Sequence, residues 1–253
     1  MTPLAASLLV ATLVATAGAE ARVAGTPEGI LARLDRLHER RDQPAALEEA
    51  RALVDAAVAA APRDAELLWR GARVIFTQSE EPARAQAERS QLGKLAWELA
   101  ERAVAIDPRS AGGHYWAALA IGSYAEGIGI LNALASGIEG KFKRHLQRAT
   151  ELDPGYDHGN IPVVWAAYHL EVPWPKRDRK QAEGELTQAL RINPDSLRAR
   201  LYLARVLFDT GRPAEARTRL GEIASAPVGR YDAPEERRVK REATELGAKL
   251  GLK

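Results

Sequence analysis

Ala149-Thr-Glu-Leu-Asp-Pro154 and Ala189-Leu-Arg-Ile-Asn-Pro194 close two segments of the stretch Gly112–Pro194, and both obey one rule. Each reads alanine, two further residues, leucine or isoleucine, aspartate or asparagine, then proline. Proline cannot donate within a helix and pushes the preceding residue out of helical geometry, so each motif ends a helix. Helix-ending prolines also stand upstream at Pro62 and Pro108, and the four prolines are 46, 46 and 40 residues apart. Ala57, Ala103, Ala149 and Ala189 lie five residues before their prolines. Ala50, Ala96 and Ala182 lie twelve before, with Phe142 in the remaining unit. Small side chains at fixed distances ahead of a helix stop let one helix approach another closely. This is the tetratricopeptide pattern, whose unit is about 34 residues in two antiparallel helices. The longer units here each carry an insertion. The expected fold is all-α: a tetratricopeptide-like α-α superhelix, a solenoid, with enlarged repeats and a C-terminal capping helix.

The flanking sequence fits that plan. Thr26 reads as an N-cap with Pro27 at the first helical position. Asp42 and Pro44 open a second helix, and Asp64 a third, carrying Leu68, Trp69, Ala72, Ile75 and Phe76. The polar run Thr77–Ser90, with Pro82, reads as a break before a helix from Gln91 to Ile106. Gly211 suits a left-handed helix cap. Asp232 and Pro234 start a charged terminal helix able to cover the end of a solenoid. The expected divisions are an N-terminal helical pair at 20–62, a repeat domain at 63–228 and a capping helix at 229–253.

Leu4–Ala19 is apolar or small and uncharged, and Ala17-Gly18-Ala19 offers a small-x-small cleavage site. Residues 1–19 therefore read as a signal peptide, with export to the periplasm expected. An uncleaved N-terminal anchor is the alternative, since no Lys or Arg precedes Leu4. The chain has no cysteine, which removes disulfides, thiolate metal sites and lipoprotein acylation. Its 36 basic and 34 acidic residues nearly balance and are interspersed along helices. That pattern gives solvated helix faces rather than a nucleic-acid surface.

No reaction centre is predicted: no catalytic residue, cofactor or metal site. The five histidines, His38, His114, His145, His158 and His169, show no close ligand spacing. His158 beside Asp157 reads as a turn in which Asp157 bonds its own backbone and Gly159 takes positive φ. Gly127-Ile-Gly129 and Gly137–Gly140 lack the Gly-Lys-Ser/Thr ending of a phosphate loop, and read as close helix contacts or an interrupted helix. In the repeat fold, the first helix of each pair faces the concave surface. On that basis Trp69, Arg73, Phe76, Tyr115, Leu119, Leu201, Arg205 and Phe208 are the expected groove residues. They would face a protein partner or a small apolar ligand.

A set of features in the central stretch goes beyond the generic repeat. These are Tyr115-Trp116, Gly129-Ile-Leu131 with Leu134, Leu152-Asp-Pro154, Tyr156-Asp157 with Gly159 and Pro162, and Trp174-Pro175. This order resembles TatT, the tetratricopeptide T component associated with TRAP transporters. His158, Asn160 and the Val172-Pro-Trp-Pro175 loop depart from that family's glycine-rich pattern. The resemblance implies a homo-oligomeric helical scaffold that docks a periplasmic solute-binding protein. It assigns structural roles to Tyr156, Asp157, Gly159, Pro162, Trp174 and Pro175. A general envelope interaction module unrelated to transport is the alternative.

Overall fold

The structure, a computed structural model, describes residues 26–251 apart from Ala83 and Trp174. The expected signal peptide and the tryptophan of the Trp-Pro loop thus lie outside the described residues. Twelve right-handed helices are described: α1 (Pro27–His38), α2 (Pro44–Ala60), α3 (Ala65–Ser79), α4 (Gln86–Ile106), α5 (Ala111–Ile128) and α6 (Ile130–Ala135), then α7 (Glu139–Leu152), α8 (Ile161–Glu171), α9 (Arg179–Ile192), α10 (Leu197–Asp209), α11 (Pro213–Ser225) and α12 (Ala233–Lys249). None of them is long and apolar enough to cross a membrane.

The packing order is that of a solenoid. α3 packs on α4, α5 on both α4 and α7, α8 on α9, and α10 on α11, and α12 closes the series against α10 and α11. The small residues that set the repeat are inside it. Ala96, Ala103, Ala149, Ala182 and Ala189 have no exposed surface, and Ala50 and Ala57 are nearly as buried. Three apolar clusters follow one another along the axis. The first joins α1–α3, the second α3–α5 with α7, and the third α8–α12.

The caps follow local chemistry. Thr26, Asp64, Ser110, Asp178, Ser196 and Asp232 each accept a hydrogen bond from a backbone N–H in the first turn of their helix. Asp42 does not cap α2, contrary to the sequence expectation; Gln43 holds that position and Asp42 is engaged elsewhere. The break expected at Thr77–Ser90 is also shorter than it reads. α3 runs to Ser79 and α4 begins at Gln86, and Arg84 in the loop between them pairs with Glu81 and Glu88.

The enlargement of the central repeat has a visible cause. Gly93 and Gly127 let α4 and α5 touch backbone to backbone. A Cβ on Gly93 would stand 2.6 Å from Tyr124 N, and one on Gly127 would stand 2.5 Å from Ser90 N. α5 then stops at Gly129, whose φ of 86° only glycine adopts readily, and the inserted α6 turns inward before α7 begins.

The two ends of the array meet. Arg41, in the α1–α2 loop, pairs with Asp232 at the start of α12, and Arg237 donates to Asp42 at 2.7 Å. The loop that carries Asp232 is held by Glu236. That carboxylate is 1% exposed and accepts the backbone N–H groups of Gly229, Arg230 and Tyr231. The superhelix therefore closes on itself instead of presenting an open arc.

Candidate functional site

Closure of the array leaves a chamber of about 860 Å³ on its concave side, partly open to solvent. Its apolar wall comes from Phe76 of α3, Trp116 and Leu119 of α5, and Val163, Val164 and Ala167 of α8. Ile130 and Leu134 of the inserted α6 add to this wall, so the extra length of the central repeat builds the chamber. Aromatic edges order the surface: Phe76 and Trp116 lie 5.7 Å apart, and Phe142 stacks on Tyr168 at 5.5 Å.

One polar cluster interrupts the apolar wall. Within the short segment Tyr156–Gly159, residues Asp157, His158 and Gly159 take left-handed backbone geometry. Asp157 has φ 52° and ψ 51°, His158 has φ 57° and ψ 29°, and Gly159 has φ 78°. Left-handed geometry costs an L-residue about 1–2 kcal/mol, so two non-glycine residues here need compensation. Tyr115 supplies part of it. The fully buried Tyr115 hydroxyl donates to Asp157 Oδ2 at 2.6 Å. Asn160 Nδ2 donates to the same carboxylate oxygen and to the Tyr115 oxygen, each at 3.2 Å. Burial, reinforced by the Asp157 charge, holds the Tyr115 phenol well above its ordinary range, so it stays a donor. Trp116 Nε1 donates to the Tyr156 hydroxyl at 3.2 Å and anchors the other side of the turn.

The rim is charged and mostly self-paired. Arg89 meets Glu126 at 2.8 Å, Arg205 meets Glu171 at 2.9 Å, and Arg198 pairs with Glu235 and Glu242. Burial raises the Glu139 carboxyl, but hydrogen bonds from Lys176, Tyr168 and Lys143 outweigh it and hold the group at about 2. Glu126 is raised, first by burial and then by the nearby Glu80 charge.

The sequence expectations for this surface divide. Phe76, Tyr115 and Leu119 line the chamber, and so does Asp157, expected only as a structural turn residue. Trp69, Arg73, Leu201, Arg205 and Phe208 do not line it. Trp69 is buried under the Arg70 guanidinium, and Arg73 is buried against Asp35. Leu201 and Phe208 pack into the third apolar cluster, and Arg205 points to Glu171 on an exposed face. Pro162 is buried in the first turn of α8, and Pro175 is exposed. Asp157 reaches Tyr115 rather than its own backbone, which corrects the expected turn chemistry.

Sequence spacing also missed a histidine pair. His114 Nδ1 lies 3.1 Å from His145 Nδ1, and His145 Nε2 lies 3.3 Å from Glu101 Oε1. Burial lowers both imidazoles from their ordinary value. The pair sits in the packing of α4, α5 and α7, outside the chamber lining. Among the described residues no group of three or more His, Asp or Glu side chains is placed to hold a metal ion.

A family profile described as regulator of microtubule dynamics protein 1-3 matches residues 30–159, just over half of the chain. The chain belongs to this family. A tetratricopeptide-repeat profile matches residues 176–231, so the two matches divide the helical array between them. Regulator of microtubule dynamics protein 1 of Bos taurus is 33% identical over 116 residues, covering 45% of this chain and 36% of that protein. Regulator of microtubule dynamics protein 3 of Rattus norvegicus is 27% identical over 177 residues, covering 64% and 37%. The chain thus spans little more than a third of the length of these relatives.

Among solved structures, a thermophilic tetratricopeptide protein of Thermus thermophilus superposes with a TM-score of 0.63 at 20% identity. That match covers 87% of this chain and 98% of the other. The pilF protein of Pseudomonas aeruginosa gives 0.50 at 16% identity, covering 86% and 93%. These likenesses show the tetratricopeptide fold. None of these matches is a TRAP component, so the part of the TatT resemblance that stands is the repeat fold.

Proposed function

We propose that this member of the regulator of microtubule dynamics family is a protein-binding scaffold whose concave chamber receives a segment of a partner. The observation that carries the reading is the chamber itself, an apolar wall contributed by several repeats, broken by one fixed polar cluster and edged by charge. Concave apolar surfaces with a few placed polar groups are where ligands gather. The relatives are named for regulating microtubule dynamics; only the binding module is carried over to this chain. A periplasmic solute-binding protein, the partner implied by the resemblance to TatT, is one candidate for the bound segment. Export through residues 1–19 and homo-oligomerisation belong to that narrower version.

Site-specific photo-crosslinking tests the proposal. A photoreactive residue at Ala167, inside the chamber, is compared with one at Ile106, an exposed position outside it. A discrete adduct from position 167 and none from 106 is expected in cells expressing the full chain. Identification of that adduct also decides between an envelope partner and another. Adducts from 106 alone, or none from 167, would count against the chamber.

A further inference from the structure

The chamber's carboxylates are not equivalent. Asp42, Glu80, Glu81, Glu126, Glu139, Glu171, Asp232, Glu235 and Glu242 each have an Arg or Lys partner within 4 Å. Among the described residues that line the chamber, Asp157 and Glu245 alone have none. Glu245 is exposed on the last helix, where water solvates it. Asp157 is half-buried in the apolar wall, held there by a strained backbone and by the buried Tyr115 hydroxyl. Both of its described side-chain bonds fall on Oδ2, which leaves Oδ1 without a described donor. Asn160 likewise spends its amide N–H groups on Tyr115 and Asp157 and keeps its carbonyl oxygen free.

An unpaired carboxylate in a partly desolvated wall is a site waiting for a cation. The acceptors are two, Asp157 Oδ1 and Asn160 Oδ1, and each takes an N–H donor. The walls beside them, Trp116, Val163 and Val164, suit a chain of methylene groups, and an indole face is favourable to ammonium. We propose that Asp157 and Asn160 form a subsite for a lysine side chain of the partner segment, its stem along the apolar wall and its ammonium on the free oxygens. This rests on the chamber being the binding surface and adds the charge and chemistry of what enters it. The left-handed turn gains a purpose: it places the carboxylate in the chamber wall, and Tyr115 and Asn160 fix its orientation before binding.

The test is selection of a random twelve-residue displayed peptide library on the full chain, on Ala167→Arg and on Asp157→Asn. Ala167→Arg projects a long charged side chain into the chamber and obstructs its apolar wall. Asp157→Asn tolerates left-handed geometry and still accepts from Tyr115, but it removes the charge and puts an N–H donor where the free oxygen stood. Peptides enriched on the unmodified chain and lost on Ala167→Arg are expected to share one lysine. Replacing that lysine by norleucine is expected to weaken binding at least tenfold on the unmodified chain. On Asp157→Asn the lysine and norleucine peptides should bind alike. Peptides that need the chamber but bind equally with norleucine would overturn the lysine subsite and leave the chamber reading standing. No enrichment, or peptides indifferent to Ala167→Arg, would overturn both. The norleucine comparison uses the unmodified chain, so it holds even if a variant folds poorly.

Discussion

Two neighbouring side chains, Asp157 and His158, sit in left-handed geometry where glycine is the usual occupant, and Asp157 is tied down by Tyr115. Asp157→Ala should therefore cost about 1–3 kcal/mol, since alanine bears the same strain and leaves the buried Tyr115 hydroxyl short of its acceptor. Asp157→Asn should cost much less, and chemical denaturation of the two variants side by side reads the difference. Glycines give a second contrast at this scale. Gly127→Ala would drive a methyl against the Ser90 backbone and should cost roughly 1–3 kcal/mol or more. Gly184→Ala and Gly221→Ala sit in exposed helix interiors with nothing within 4 Å of the new Cβ. Each should raise stability by up to about 1 kcal/mol. Equal effects at Gly127 and Gly184 would mean that α4 and α5 are not in backbone contact.

At the scale of the element, α12 is more than a polar cover. Its Glu235 pairs with Arg198 of α10, with side chains 14% and 12% exposed. Burial works to raise the Glu235 carboxyl, but Arg198 and Arg238 outweigh it and hold the group at about 2, against an ordinary 4.5. A depressed carboxyl stabilises the fold fully above pH 4.5 and loses that contribution as pH falls toward 2. Glu235→Gln should cost roughly 1–3 kcal/mol at pH 7, because it leaves the buried Arg198 with Glu242 as its remaining carboxylate partner, and less at pH 3. Urea titrations at the two pH values check the window.

The helices were legible in sequence where an apolar stripe ended in a stop. Pro108, Pro154 and Pro194 mark the ends of α4, α7 and α9, and the alanines ahead of them are buried as the repeat requires. The start of α4 was not legible, since Gln86–Ser90 is polar on nearly every face and gives no periodicity to read. The site divides in the same way. Phe76, Tyr115 and Leu119 follow from helical spacing, whereas the Tyr115–Asp157 bond joins residues 42 apart and depends on a backbone turn that residue type argues against. Trp69 and Arg73 were misplaced because spacing gives a face of a helix but not its rotation toward the chamber or the core.

For the whole molecule, the contact between chain ends decides whether the repeats form an arc or a ring. Arg41–Asp232 is shielded, with side chains 15% and 16% exposed, while Arg237 and Asp42 are 41% and 24% exposed. Arg41→Gln combined with Arg237→Gln should release α12 from the α1–α2 loop and raise the radius of gyration seen by solution X-ray scattering. In the unmodified chain, roughly 1 M salt shortens the screening length to about 3 Å and should weaken the more exposed pair first. An unchanged radius in the double variant would show that apolar packing alone holds the ends together. The central claim, that the concave chamber is the working surface, is tested most directly by hydrogen exchange of the full chain with and without the partner crosslinked at position 167. The account predicts slowed exchange at α5, α6, α8 and the Tyr156–Asn160 turn, with α9 and α11, which contribute nothing to the lining, unchanged. Protection confined to α9 and α11, outside the chamber, would contradict it.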